Sequence, residues 1–113
     1  MLCLPRSNPV LWSNRGLRPD YKDSCSYVGE IAELSQKLSR EVITAYCDAT
    51  NMNNRGVKIN DTMTGINWCK MPVTILELGF LSNPTDDTNM QDDAYQKKMV
   101  QGIANGIDAY FGL

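Results

Sequence analysis

The spacing of hydrophobic positions changes several times along this chain, and each change marks an element. From about Ser26, the residues Val28, Ile31, Ala32, Leu34, Leu38, Val42, Ala45 and Tyr46 recur mostly at steps of three and four. That spacing predicts one apolar stripe on an amphipathic helix. Ser24 or Ser26 can cap its start, because a serine hydroxyl accepts from the unpaired N–H groups of a first turn. Glu33, Lys37, Arg40 and Glu41 occupy the opposite face, so this helix is expected to cover something on one side only. Asn51, Asn53 and Asn54 supply turn chemistry at its end.

Arg55 to Ile59 alternates in part and reads as a short strand. Asp61 to Asn67 reads as a loop or a weak strand. The strongest strand signal is Val73 to Leu81, apolar on both parities and interrupted by Thr74 and Glu77. A run of this kind is typical of a central strand covered on both faces of an α/β sheet. Pro72 stands at its mouth, where a missing N–H does least harm. Asn83, Pro84 and Asp86 then fit the cap, first and third positions of a short helix. A longer helix follows from about Asp92, with the stripe Tyr95, Met99, Val100, Ile103, Ala104, Ile107, Tyr110 and Phe111. Asp92 and Asp93 at its opening suit the helix dipole, and Lys97 and Lys98 follow at pairing distance. Gly102 and Gly106 lower its helix propensity, which is expected to reflect close packing against a sheet.

Residues 1–26 follow no period. Asn8-Pro9, Asn14-Arg15-Gly16 and Arg18-Pro19-Asp20 are turn chemistry, and Trp12, Leu17 and Tyr21 are scattered among them. The segment is expected to be irregular, with the folded domain at 27–113. Two or three strands make a poor central sheet, and a strand apolar on both faces requires strand neighbours. The pattern therefore predicts an α/β chain that holds an incomplete sheet flanked by helices.

Composition narrows the classes. The 113 residues are 42% hydrophobic and 21% charged, as in an ordinary globular chain. A net charge of -2 offers no pull toward nucleic acid or an anionic membrane. No apolar run approaches the length of a membrane span. The apolar stretch at Met1–Arg6 is too short for a signal peptide, so no export leader is expected. Cys3, Cys25, Cys47 and Cys69 are evenly spaced, but their flanks share nothing and do not support a repeat. They form no Cys-x-x-Cys pair, so a structural zinc site has little support; four cysteines permit three disulfide pairings, and unpaired thiols are expected.

The chain contains no histidine. It cannot build a zinc site from imidazoles or run Ser-His or Cys-His catalysis, so its chemistry rests on carboxylates, backbone groups or residues from elsewhere. Glu77 is the awkward carboxylate, set in an apolar strand. It must be paired, carry a raised pKa or open onto a cleft. Two readings stand: a functional group, or a buried ion-pair member satisfied by Arg55 or Lys58 from the neighbouring strand. Asn67, with Thr64 and Gly65, is a candidate for lining a groove at the strand ends, or an ordinary turn residue. Arg55 is a candidate for orienting a carboxylate, or a strand-edge partner. Trp12 and Trp68 fit sugar stacking or plain packing.

One ordered set of residues goes further. Arg55-Gly56-Val57-Lys58 is followed by Met71-Pro72-Val73-Thr74-Ile75-Leu76-Glu77-Leu78-Gly79-Phe80-Leu81-Ser82-Asn83-Pro84. Then come Asp86, Tyr95-Gln96 and Ile103-Ala104-Asn105-Gly106-Ile107. Over roughly residues 28–112 this resembles the C-terminal half of the zinc-dependent N-acetylmuramoyl-L-alanine amidases, the amidase 3 family. The resemblance implies a twisted, mostly parallel sheet flanked by helices. It implies peptidoglycan as substrate, cleaved at the amide between the lactyl group of N-acetylmuramic acid and L-alanine, in the cell wall or outside the cell. It also implies one zinc ion, held by two histidines and a glutamate of the N-terminal half, and it gives Glu77 the role of general base.

The chain departs from that pattern by lacking both histidines. The metal-binding half is expected to precede residue 1, and the chain alone is expected to bind no catalytic zinc and to show little or no activity. Glu30 and Glu33 are expected on the solvated edge of their helix rather than on metal. The alternative is a non-catalytic peptidoglycan-binding module that keeps the groove. An incomplete sheet leaves an unpaired edge, which is expected to promote self-association.

Overall fold

The computed structural model describes residues 10–14, 25–60, 69 and 71–113. Its elements are β1 (Val10–Asn14), α1 (Cys25–Thr50), β2 (Val57–Asn60), β3 (Thr74–Glu77), α2 (Pro84–Gln91) and α3 (Asp93–Phe111). The strands form one sheet in the order β2-β1-β3. β1 runs parallel to β2, with Leu11 opposite Val57, and antiparallel to β3, with Val10 opposite Glu77.

This sheet revises two expectations. The segment 1–26, expected to be irregular, contains β1 at Val10–Asn14, and β1 lies between the other two strands. A run of five residues flanked by turn chemistry carries too little pattern to announce a strand; its pairing is a tertiary matter. β3 pairs with β1 and has no other strand partner among the described residues, as the expected incomplete sheet implies. Of the two pairs, one is parallel and one antiparallel, so the described part of the expected mostly parallel sheet is mixed.

α1 organises the core. Ile31, Ala32, Val42, Ile43, Tyr46 and Cys47 are buried along it. Val57 and Leu76 from the strands and Leu78 just past β3, with Tyr95 and Ile103 of α3, pack on the cluster that α1 forms with Met99. Ser35 and Ser39 are fully buried as well, on the same side of α1. Their hydroxyls find partners, as buried polar groups must. Ser39 donates to the Ser35 carbonyl at 2.7 Å and is paired with Thr74 Oγ1 at 2.9 Å, while Ser35 Oγ accepts from the Val73 N–H at 3.0 Å. The helix thus meets β3 through hydrogen bonds as well as apolar contact. Leu34, assigned to the apolar stripe by its spacing, is 44% exposed.

α1 does not cover one side only, because α3 packs against it too. Gly102 and Gly106 are the seam. A Cβ on Gly102 would stand 2.8 Å from Tyr46 Cα and 3.0 Å from Ala49 Cβ, and one on Gly106 would overlap Val42 Cα. The expected close approach is present, but its partner is a helix and not a sheet. With α3 seated on this seam, Val100, Ile107 and Phe111 from its expected stripe are exposed.

The helix ends follow the local sequence. Asn51 leaves α1 with φ 58, a left-handed conformation that asparagine tolerates. Asn83 caps α2, its Oδ1 accepting from Thr85 N–H at 2.9 Å and Asp86 N–H at 3.1 Å, with Pro84 at the first position. Asp92 caps α3 by accepting from Tyr95 N–H at 2.8 Å, and Gly112 closes it in the left-handed region. Among the described residues, no helix is long and apolar enough to cross a membrane.

Candidate active site

Glu77 is the last residue of β3 and is half-buried. Side chains alternate along a strand, so its direction follows from its neighbours. Leu76 packs on the α1 cluster and Thr74 pairs with Ser39 of α1. Ile75 and Glu77 therefore face away from α1, and Ile75 is 38% exposed there. Among the described residues the Glu77 carboxylate has no ion pair or hydrogen bond.

Glu77 forms no ion pair with Arg55 or Lys58, and the strand order separates them. β2 is not the neighbour of β3, because β1 lies between them. Arg55 and Lys58 belong to the far strand or its approach, two strand spacings or about 10 Å away. Register still places Arg55 informatively. Glu77 lies opposite Val10, and Leu11 lies opposite Val57, so Arg55 and Glu77 share one end of the sheet. Arg55 is half-buried there. Asn67, Thr64, Gly65 and Trp68 lie outside the described residues.

The backbone around Glu77 is held from two sides. Upstream, Ser35 takes the Val73 N–H. Immediately downstream, the buried Tyr46 donates its hydroxyl to the Leu78 carbonyl at 2.9 Å. Asp86, at the third position of α2 and 4% exposed, accepts from the Phe80 N–H through Oδ2 at 3.0 Å. The Asn83 N–H returns to the Phe80 carbonyl at 2.9 Å and closes the turn. Gly79 sits inside this grip: a Cβ there would stand 3.1 Å from both Asp86 Oδ2 and Met90 Cε.

The sequence pattern singled out Glu77 but not Ser35, Ser39 and Tyr46 as anchors. The signal was their spacing: 35, 39, 42 and 46 fall at helical steps in line with Ala32. Tyr46 entered only as an apolar position and the serines not at all.

Burial raises the acids of the core. The Tyr46 phenol is pushed well above its ordinary range, chiefly by burial, with smaller contributions from Tyr95, Cys47 and Asp86. Burial likewise pushes the Cys47 thiol up to about 11, with Asp48 adding to it. The Tyr95 phenol is raised mainly by burial. Cys47 is a buried free thiol.

The described residues do not assemble a catalytic metal site. The chain has no histidine. Among the described residues, no three cysteine, aspartate or glutamate side chains cluster as a metal site would require.

Comparison with known proteins places this arrangement. The family model for N-acetylmuramoyl-L-alanine amidase matches residues 23–109, and the chain belongs to that family. It is 33% identical over 79 residues to the uncharacterized protein YqiI of Bacillus subtilis, covering 70% of this chain and 38% of that protein. It is 35% identical over 60 residues to the probable cell wall amidase LytH of Staphylococcus aureus, covering 53% of this chain and 20% of that one. Among solved structures, the CwlD amidase of Clostridioides difficile, determined in complex with the GerS lipoprotein, aligns with a TM-score of 0.76 at 23% identity. That alignment covers 96% of this chain and 48% of CwlD. The catalytic domain of CwlV, from Bacillus (Paenibacillus) polymyxa var. colistinus, aligns with a TM-score of 0.73 at 22% identity, covering 96% and 50%. The chain thus spans about half of each of these structures and less than half of the curated relatives. The fold is that of a partial α/β amidase domain.

Proposed function

We propose that this chain supplies the Glu77 side of a peptidoglycan amidase site, which cleaves the amide between the lactyl group of N-acetylmuramic acid and L-alanine. The observation that carries this reading is the placement of Glu77. Its carboxylate stands at a strand end, on the sheet face turned away from α1, without a partner among the described residues and on an anchored backbone. A carboxylate so placed takes a proton from the attacking water and returns it to the leaving amine, which is general acid–base catalysis. Arg55, at the same end of the sheet, is a binding group for an anionic or carbonyl part of the substrate. Asn67 is a further substrate-binding candidate on its sequence alone.

No step is drawn through a metal, because the described residues do not assemble a site for one. In this reading the histidine-bearing half of the site comes from outside these 113 residues. The chain alone is inactive or very weak, and the assembled site acts in the cell wall or outside the cell. β2 and β3 each have one strand neighbour among the described residues; we assign self-association to these edges. The absence of histidine also favours a second reading, a peptidoglycan-binding module without hydrolysis.

One experiment separates the two. The chain is incubated with purified peptidoglycan, alone and together with the histidine-bearing half of a related amidase. New amino-terminal alanine only in the mixture supports the amidase reading. Sedimentation with peptidoglycan and no alanine in either case replaces it with the binding module.

A further inference from the structure

Two buried groups that reach no substrate grip the backbone just after Glu77. Tyr46, with no exposed surface, holds the Leu78 carbonyl from α1 at 2.9 Å. Asp86 holds the Phe80 N–H from α2 at 3.0 Å, and its carboxylate closes on Gly79 between them. Three successive residues after Glu77 are therefore fixed from two helices. Asp86 also ties this turn to the start of α2, since its own N–H is taken by Asn83. A general base has to stay within hydrogen-bond reach of the reacting atoms, and a drift of about 1 Å can lower a rate by on the order of 100-fold.

We infer that Tyr46 and Asp86 are positioning residues for Glu77: they act through the Leu78–Phe80 backbone to hold its carboxylate at the strand end. The inference rests on Glu77 being the general base. Both groups also support the fold, so the test needs a readout on Glu77 itself.

The full chain is labelled with carbon-13 at the glutamate carboxyl carbons, and the Glu77 resonance is assigned with Glu77→Gln. Tyr46→Phe removes one hydroxyl and keeps the ring. Asp86→Ala removes the acceptor, and Asp86→Asn keeps an acceptor oxygen. Thr88→Ala, on the exposed side of α2, is the control. Tyr46→Phe and Asp86→Ala should move the Glu77 carboxyl resonance. Asp86→Ala should also speed exchange of the Phe80 amide about ten-fold, the equivalent of one lost hydrogen bond. Asp86→Asn should restore both toward wild type, and Thr88→Ala should change neither. If Asp86→Ala does not fold, Tyr46→Phe decides. A folded Tyr46→Phe or Asp86→Ala chain whose Glu77 resonance superimposes on wild type would overturn the inference. Failure of the general-base reading shows elsewhere, as undiminished peptidoglycan cleavage by Glu77→Gln in the assembled site.

Discussion

The Tyr46 hydroxyl donates to the Leu78 carbonyl at 2.9 Å, and this bond ties the C-terminal part of α1 to the residue after Glu77. Tyr46→Phe leaves the carbonyl without that donor. A lost partner of this kind costs about 1–3 kcal/mol. The urea midpoint of the variant should fall accordingly, with the slope unchanged. An unaltered midpoint would show that the bond contributes nothing.

Gly102 and Gly106 predict an inverted propensity effect. Alanine in an open helix is more stable than glycine by about 1 kcal/mol. Here a Cβ on Gly106 meets Val42 Cα, and one on Gly102 meets Tyr46 Cα at 2.8 Å. Backbone cannot yield as a side chain does, so α3 must move off α1. Each alanine variant should lose about 1–3 kcal/mol in chemical denaturation, and Gly106 should be the worse site. A stabilised Gly106→Ala chain would refute the packing described for this seam.

The cap of α2 is separately testable. Asn83 Oδ1 satisfies two N–H groups, those of Thr85 and Asp86. Asn83→Ala should destabilise the chain by about 1 kcal/mol, and Asn83→Asp should retain most of that. Thermal melts of the three proteins measure the difference.

The raised acids of the core set an alkaline limit. Burial lifts Cys47 from 9.0 to about 11 and lifts Tyr46 further, starting from 10.0. Between the unfolded and folded values, the folded chain keeps a proton that the unfolded chain has lost. The stability this provides is complete below about pH 9 and is lost as pH rises toward and past 11. The melting temperature should fall from about pH 9 upward, and Cys47 should resist thiol reagents near neutral pH until the chain unfolds. A melting temperature that climbs across this range would contradict the burial of these groups.

Much of the fold was legible because its signals are local. Asn83, Pro84 and Asp86 cap and open α2 as their sequence announces, and Asp92 opens α3. Most of the α1 stripe was readable from its period and the Glu77 strand from its apolar run, though β3 spans only Thr74–Glu77 of the expected Val73 to Leu81. What the sequence hid is tertiary. β1 is a short run among turn residues and becomes a strand only by pairing with β2 and β3. Ser35 and Ser39 carry no apolar signal and are core residues because Val73 and Thr74 supply their partners. Gly102 and Gly106 announced a close approach but not what approaches. For the site, the isolated carboxylate was visible and its freedom from Arg55 and Lys58 was not, since that depends on strand order.

The central claim is that Glu77 is the general base of an amidase site whose remaining half lies outside this chain. The most direct test measures release of amino-terminal alanine from purified peptidoglycan by the chain joined to a metal-loaded, histidine-bearing half from a related amidase. Wild type is compared with Glu77→Gln. The expected result is no release by the chain alone, release by the joined protein, and a loss on the order of 100- to 10,000-fold with Glu77→Gln. Cleavage by Glu77→Gln at the wild-type rate would contradict it.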